Sequence, residues 1–198
     1  LSLRIAASDP VALARQMIQR HPRARLVALG DCNPSLPLCF PAADTFHGWV
    51  DTRTDTPNHL REALLHAARH FRRDAPFLLH NVDVMCDADL RALYDAHLHG
   101  DALATLAVSR RDTSRYLLFD EGGSLRGRFN ARTGESDVAA PASYQRLAFA
   151  GIHVISPALL ERITERGAFS ITDVYLRLAA AGERIAAFDI GAAQWLEI

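Results

Sequence analysis

Short apolar runs alternate with amphipathic segments of helical periodicity in the first half of this sequence, and this pattern restricts its fold more than any other feature. Residues 25–29 and 77–79 are compact apolar runs that end in turn or polar residues, as buried strands do. Between them, Thr56 and Pro57 open an amphipathic segment that extends to about Phe71 and predicts a helix. Alternating strands and helices predict an α/β fold.

The second half of the sequence adds short β-rich segments, with a hairpin turn predicted at residues 121–123. Asp87 is predicted to cap a helix over residues 90–98, and Ser170 a helix over residues 171–180. The other predicted elements are strands at 3–6, 46–50, 103–108, 116–119, 125–129, 147–155, 185–188 and 195–198, a helix at 11–20 and a short helix from Pro157. The pattern favours a three-layer, Rossmann-like sandwich with a mixed central sheet.

The charge balance excludes several classes of function. The 22 basic residues nearly match the 23 acidic ones, and the formal net charge is −1. A nucleic-acid or anionic-membrane binder usually carries a broad positive surface, so we expect neither partner. Every basic residue is an arginine, which excludes a lysine Schiff base and a Walker A lysine within this chain.

The sequence carries no transmembrane or signal-peptide pattern, because no apolar run approaches the roughly 18 residues that a membrane span needs. Its three cysteines, Cys32, Cys39 and Cys86, are odd in number, and we expect free thiols in a reducing, cytoplasmic compartment. No linker interrupts the sequence, so we expect one domain over residues 1–198. Because the chain begins at Leu1 and stops inside an apolar stretch, we expect it to be truncated at one or both ends.

Polar residues follow the predicted strand at 77–79. Asp83 and Asn81 lie just past its carboxyl end, where open α/β sheets bind their ligands. A carboxylate there could hold a divalent cation whose other ligands come from water and a phosphate. The alternative is that Asp83 braces the loop before the next helix. Arg110, Arg111 and Arg115 follow a later strand and could reach a phosphate.

The nine histidines also suggest a metal site. His66 and His70 share one face of a predicted helix at i, i+4 spacing, as zinc ligands can, and His97 and His99 form a second pair. No glutamate follows His66 directly and no third ligand is evident in the sequence. A solvated or partly packed helix face is therefore the preferred interpretation.

Several segments, in order and at matching spacing over nearly the whole chain, resemble the nucleotidyltransferases that activate sugar 1-phosphates with a nucleoside triphosphate. They are PFLLHNVD at residues 76–83, ATL at 104–106, SRYLLFD at 114–120, FAGIHVISP at 149–157 and FSITDVYL at 169–176. The resemblance implies the nucleotide-diphospho-sugar transferase type of fold. It also implies Mg²⁺-assisted attack of a sugar-phosphate oxygen on the α-phosphorus, with release of pyrophosphate.

The resemblance assigns roles to individual residues. Asp83 matches the family's first metal-binding aspartate. The second family aspartate lies in a motif that reads tryptophan, any residue, aspartate, then isoleucine or valine, then glycine, and Glu197 stands at the aspartate position of that motif. Asp189, in Asp189-Ile190-Gly191, is a rival match. The resemblance thus implies Mg²⁺ held by Asp83 and Glu197. The expected contacts with the nucleoside triphosphate and sugar 1-phosphate are Asn58, Asn81 and Gly151, with Arg110 and Arg115 added from their placement after a strand. It does not define the nucleotide base, the sugar or the oligomeric state.

Three departures from the family pattern leave two hypotheses open. The glycine-rich loop that cradles the triphosphate does not occur in these residues and would fall immediately upstream of Leu1. The segment at residues 55–59, which usually contacts the base, contains no glycine, and Glu197 is one methylene longer than aspartate. The chain is therefore either a nucleotidyltransferase domain or a catalytically inactive homologue that binds a nucleotide or sugar phosphate. In either case we expect very slow turnover from these 198 residues.

Overall fold

A computed structural model describes residues 26–30, 46–51, 74–81, 84–165 and 169–197. The chain divides into two compact units, Leu1–Arg72 with Glu165–Phe169 and Arg73–Thr164 with Ser170–Ile198. The predicted single domain over residues 1–198 stays a prediction. The predicted strand at 3–6 and the predicted helices at 11–20 and 56–71 lie outside the described residues.

In the first unit, two strands form a parallel pair. Strand β1 covers Leu26–Gly30 and strand β2 covers Phe46–Asp51, with Leu26 opposite Phe46 and Gly30 opposite Asp51. Strand β1 was predicted from the compact apolar run at residues 25–29, and β2 was predicted as a strand at residues 46–50. Parallel neighbours need a crossover connection, which agrees with the α/β class of fold.

The second unit contains eight strands and two α-helices among its described residues. The strands are β3 (Phe77–His80), β4 (Val84–Cys86), β5 (Ala104–Ser109), β6 (Arg115–Phe119), β7 (Leu125–Asn130), β8 (Gln145–Ile155), β9 (Ile185–Asp189) and β10 (Trp195–Glu197). The helices are α1 (Leu90–Leu98) and α2 (Ile171–Ala180), with short 3-10 helices at Pro141–Ser143 and Pro157–Arg162. Each strand predicted within the described residues is present, with ends that differ by one or two residues. None of the described helices is long and apolar enough to cross a membrane.

Strand β8 organises the main sheet, whose order is β7-β6-β8-β5-β9, with β3 also paired to β8. Along one edge β8 pairs with β6 and then with β3, and along the other edge it pairs with β5. The β5–β9 pair is parallel, whereas the pairs that involve β8 and the β6–β7 hairpin are antiparallel. The predicted mixed sheet and the predicted hairpin turn are therefore confirmed.

Helices cover both faces of this sheet. Ile152 and Val154 of β8 are buried in one cluster with Leu93 of helix α1. His153 lies between them in sequence and meets Tyr175 of helix α2. Because successive side chains of a strand point to opposite faces, α1 and α2 pack on opposite sides of the sheet. The three-layer arrangement predicted from the sequence is thus confirmed for this unit.

Helix α1 is capped by a residue other than the one predicted. The carboxylate of Asp89 accepts hydrogen bonds from the backbone N–H groups of Arg91 at 3.0 Å and Ala92 at 2.9 Å. The prediction that Asp87 caps this helix is wrong. Asp87 instead accepts a hydrogen bond from the backbone N–H of Gln194 at 2.7 Å, at the end of the β4–β10 pair. Sequence spacing alone does not show which of two aspartates only two residues apart is the cap. For α2, Ser170 is the cap, as predicted.

We expect Asp89→Ala to lower the free energy of unfolding by about 1 kcal/mol, because two backbone N–H groups at the start of α1 lose their acceptor. Asp89→Ser is the matched control, since serine is also a strong N-cap and should keep most of the stability. Urea unfolding of the three proteins measures the difference. Equal stability of the alanine and serine variants would contradict the capping role.

Strand β4 was not predicted. It contains three residues and pairs antiparallel with β10, with Cys86 opposite Trp195 and Val84 opposite Glu197. Three residues are too few to show a period-two pattern, and the strand exists through its partner more than 100 residues later in the chain. This small pair carries one of the predicted site residues.

Candidate functional site

Strand β8 contains an irregularity at the glycine that was predicted to contact substrate. Leu106 of β5 lies opposite His153 of β8, but Val108 lies opposite Phe149, so β8 accommodates two more residues than β5 between these pairs. Gly151, inside this bulge, has a φ of 75°. Glycine is the residue that adopts this conformation readily, and bulges of this kind commonly occur beside binding sites.

The space beside Gly151 is filled by the protein itself. A Cβ atom at this position would lie 3.1 Å from Nδ2 of Asn81 and 3.1 Å from Cγ2 of Val84. The backbone N–H of Asn81 also donates to the Gly151 carbonyl at 2.9 Å. The structure therefore brings together Asn81 and Gly151, two predicted substrate contacts, and gives Gly151 a packing role. Their contact with substrate stays a prediction.

Two side chains bond to consecutive carbonyl groups of the bulge. Arg111 donates from Nη2 to the carbonyl of Phe149 at 2.9 Å, and Trp195 donates from Nε1 to the carbonyl of Ala150 at 2.9 Å. The guanidinium carbon of Arg111 lies 3.5 Å from the centroid of the Trp195 ring, which is a cation–π contact. We call these two side chains the Arg111–Trp195 clamp.

Glu197 lies at the end of β10, directly opposite Val84 of β4, and is exposed. Burial lowers the pKa of the Arg111 guanidinium, and the negative charge of Glu197 partly opposes that shift. Glu197 therefore lies within electrostatic range of the clamp. Glu197 is thus an exposed carboxylate near a partly buried guanidinium.

Asp189, the rival candidate for the second carboxylate, has other partners. It ends β9, its Oδ1 atom accepts a hydrogen bond from the backbone N–H of Gly191 at 2.9 Å, and its Oδ2 atom lies 3.8 Å from Nε of Arg110. The structure thus pairs Arg110, a predicted substrate contact, with this aspartate. Arg115 starts β6 opposite Asn130 and is exposed, and no described contact joins it to the clamp.

Asp83 and Asn58 lie outside the described residues, so the metal role of Asp83 and the substrate role of Asn58 stay predictions. His66 and His70 also lie outside them. His97 is buried, with Nδ1 at 2.9 Å from Oγ1 of Thr105 and Nε2 at 3.0 Å from Oγ of Ser156. Both ring nitrogens are engaged with hydroxyl groups, which indicates a structural role. Within the described ranges, no group of three histidine, cysteine, aspartate or glutamate side chains could hold a metal ion.

Sequence reasoning missed a buried polar pair in the core. The hydroxyl oxygen of Tyr175 lies 2.6 Å from Nδ1 of His153, and both side chains are almost fully buried. Burial, helped by the positive charge of His80, lowers the pKa of His153 to about 3. Burial also raises the pKa of Tyr175 well above its usual value. Both residues lie in the family-like segments at 149–157 and 169–176, but nothing in the sequence indicated that their side chains meet.

Comparison with known proteins identifies solved structures that share this fold. No protein-family model and no curated protein matches this chain. The structure of the inositol-1-phosphate CTP transferase from T. maritima matches with a TM-score of 0.71 and 14% identity, over 99% of this chain and 78% of that one. HddC from Yersinia pseudotuberculosis matches with a TM-score of 0.70 and 14% identity, over 98% of this chain and 82% of that one.

A structure from Bacillus anthracis assigned as a glucose-1-phosphate thymidylyltransferase matches with a TM-score of 0.72 and 11% identity, over 98% of this chain and 79% of that one. At this level of identity, the matches establish the fold. The chain has the nucleotide-diphospho-sugar transferase fold. Its structural neighbours are nucleotidyltransferases of the sugar- and inositol-phosphate kind, in agreement with the resemblance found in the sequence.

Proposed function

We propose that this chain is a nucleotidyltransferase domain that binds a nucleoside triphosphate and a sugar 1-phosphate and transfers the nucleoside monophosphate, with release of pyrophosphate. The observation that supports it best is the placement of Glu197. This residue stands in the motif position of the second metal-binding carboxylate and lies exposed beside the β8 bulge, in a fold shared with such transferases. One neighbour, HddC, was also solved as a complex with GMP-PN, at a TM-score of 0.56.

The donor set proposed for the metal suits Mg²⁺. In nucleotide enzymes Mg²⁺ is held by one or two carboxylates, with waters and substrate phosphates as its remaining ligands, so a cage of three protein ligands is not required. Glu197 offers an exposed carboxylate on β10, and Asp83 precedes its pairing partner Val84 in the sequence. In the proposal these two residues hold Mg²⁺, which supplies neutralisation of the phosphate charge when bound.

The chain's other polar residues would bind and orient the two substrates. Arg110 carries an exposed guanidinium whose ion pair with Asp189 is worth only about 0–1 kcal/mol, so a phosphate oxygen can displace that carboxylate at little cost. Arg115 offers a second exposed guanidinium. Asn81, next to the Gly151 bulge, has an amide able to bond a sugar hydroxyl. Asn58 and Gly151 complete the proposed substrate contacts.

The competing proposal is a homologue that keeps the fold and binds a nucleotide or sugar phosphate without catalysing transfer. The sequence supports it, because these residues include no glycine-rich loop, no lysine and no glycine at residues 55–59. Removing a single preorganised donor to developing charge costs about 10² to 10³ in rate, and several are replaced or missing here. Binding assays and transfer assays must therefore be made separately.

We expect the 198-residue chain to bind a Mg²⁺–nucleoside triphosphate but to release pyrophosphate very slowly. Calorimetry with each common nucleoside triphosphate and a panel of sugar 1-phosphates measures binding, and a coupled pyrophosphate assay measures turnover. Asp83→Asn and Glu197→Gln should weaken Mg²⁺-dependent nucleotide binding, whereas Asp101→Asn, at an exposed position, is the matched control. Absence of binding for every nucleotide and sugar phosphate would contradict the proposal.

The rate decides between the two hypotheses. Turnover of about 1 to 10³ per second, the usual enzyme range, would show that other residues handle the triphosphate and would contradict the expectation of slow transfer. Binding without turnover, followed by turnover once a glycine-rich loop is joined upstream of Leu1, would favour the enzyme. Binding that stays unproductive with the loop added would favour the inactive homologue.

A further inference from the structure

Arg111 connects three separate parts of the second unit. It belongs to the loop after β5, it donates a hydrogen bond to the Phe149 carbonyl in the β8 bulge, and its guanidinium stacks on Trp195 of β10. Neither Arg110 nor Arg115 makes such a set of contacts among the described residues. Of these three arginines, Arg111 is therefore the one whose position is fixed by the fold.

The contact geometry of Arg111 is not optimised for stability. Its Nε atom is buried and has no hydrogen-bond partner within the described part of the chain. A buried donor without a partner costs about 1–3 kcal/mol. A methionine or leucine would cover the Trp195 ring without this cost, so apolar packing alone does not account for an arginine at this position, whereas the bond to the Phe149 carbonyl does require a donor.

Trp195 and Glu197 share one face of β10. Side chains two residues apart in a strand point the same way, so the face of β10 that receives the Arg111 guanidinium is also the face from which Glu197 projects. The Trp195 ring is itself held by its bond to the Ala150 carbonyl. Only Leu196 separates Glu197 from Trp195, so the backbone links the position of Glu197 to the clamp.

The β4–β10 pair cannot fix Glu197 by itself. Each strand has three residues, and a two-stranded ribbon of this size is at best marginally stable in water. Trp195 is packed against the buried cluster that contains Val84 and Ile152, whereas Leu196 and Glu197 are exposed. The side-chain clamp therefore adds a second connection between the end of β10 and the sheet, beside the one that buried Val84 makes through the β4–β10 pairing.

From these contacts we propose that Arg111 is a positioning residue for the proposed transfer reaction: through the Trp195 ring and the β8 bulge it holds Glu197 where that carboxylate can bind a divalent cation. This inference rests on the proposed function, because it takes Glu197 as a metal-binding residue. It assigns to Arg111 an action through Trp195 and Glu197, without direct contact between Arg111 and the metal.

The test uses the full chain in a Trp49→Phe background, so that Trp195 is the single tryptophan and can be excited selectively. Arg111→Met removes the guanidinium and keeps most of the side-chain length. Arg111→Lys keeps the charge but lacks the planar group that stacks on the ring and bonds the carbonyl. Arg91→Met, on the exposed face of α1 and paired with Asp95, is the control for loss of an arginine.

The first measurement needs no ligand. We expect acrylamide to quench Trp195 more strongly, and the amides of β10 to exchange hydrogen faster, in both Arg111 variants, with no change in Arg91→Met. Unchanged quenching and exchange in Arg111→Met would overturn the clamp. If Arg111→Met does not fold, Trp195→Phe removes the bond to Ala150 and is tested by exchange and metal binding in its place.

The second measurement is Mn²⁺ binding by electron paramagnetic resonance, with Mn²⁺ alone and with each nucleoside triphosphate. Residues that orient a metal ligand typically contribute 10- to 100-fold to affinity, and we expect Arg111→Met to weaken Mn²⁺ binding by about that factor. The decisive comparison is a double-mutant cycle with Glu197→Gln. If Arg111 acts through Glu197, Arg111→Met causes little further loss once Glu197 is replaced.

The outcomes separate this inference from the proposed function. Additive losses in the cycle would overturn positioning, because Arg111 would then act independently of Glu197. Full recovery of Mn²⁺ affinity in Arg111→Lys would overturn it as well, since stacking on Trp195 and the bond to the Phe149 carbonyl would then not be needed. If the unsubstituted chain bound no Mn²⁺ under any condition, the proposed function and the metal role of Glu197 would fail together, while quenching would still decide whether Arg111 orders β10.

Discussion

Gly151→Ala is expected to lower the free energy of unfolding by about 2–5 kcal/mol. An alanine held at the φ of 75° found here costs about 1–2 kcal/mol, and its Cβ would lie 3.1 Å from the side chains of Asn81 and Val84. Asn81 is exposed and can move aside, but Val84 is only 2% exposed and packs in the core. Overpacking of this kind adds about 1–3 kcal/mol.

Gly134 supplies a matched control, because its φ is also 75° and no atom lies within 4 Å of the position that a Cβ would take. Gly134→Ala should therefore show the backbone cost alone, about 1–2 kcal/mol. Urea unfolding of both variants isolates the contribution of close packing at Gly151. Equal losses for the two variants would show that Asn81 and Val84 relax around the new methyl group.

Acid is expected to destabilise the protein through His153. The pKa of this histidine is about 3 in the folded chain and 6.5 in the unfolded chain, so between these values only the unfolded chain binds the proton. Its contribution to stability is complete above pH 6.5 and is lost as the pH falls through this window, by about 1.4 kcal/mol per pH unit. At pH 4.5 the loss reaches about 2–3 kcal/mol.

His153→Gln isolates this contribution, because glutamine can still bond the Tyr175 hydroxyl but takes up no proton in this range. Unfolding free energies measured from pH 7 to pH 4.5 should fall less steeply for this variant. The difference in slope should be that of one bound proton, about 1.4 kcal/mol per pH unit. The comparison depends on the slope, so a constant loss of stability in the variant does not affect it. His99→Gln, at an exposed position, controls for removal of a histidine. Equal slopes for the parent and His153→Gln would contradict the prediction.

Elements with strong local signals were predictable. The compact apolar runs that became β1 and β3, and the serine that caps α2, carry their information within a few residues. Strand β4 was not predictable, because it depends on pairing with the distant strand β10. The cap of α1 was not predictable either, because two nearby aspartates could have filled that position. Local pattern thus predicted the elements, and distant pairing decided the details near the site.

The site was only partly accessible to sequence reasoning for a similar reason. A family motif indicated Glu197, and three nearby arginines indicated phosphate binding. Which arginine faces which partner depends on the β8 bulge, and no sequence pattern predicts that Arg110 pairs with Asp189 while Arg111 stacks on Trp195. Asp83 and Asn58 remain sequence predictions.

The central place of β8 also sets an order of assembly during synthesis. Strand β3 pairs with β8 and with no other described strand, and β8 begins roughly 65 residues after β3 ends. At about 5–20 residues per second, a ribosome needs about 3–13 s to make that stretch. During this interval β3 leaves the ribosome without its partner strand. Strands β5 and β6 likewise lack β8, with which both pair antiparallel in the folded protein. Non-local pairing of this kind slows folding, so the growing chain should be most prone to aggregation before residue 155 emerges.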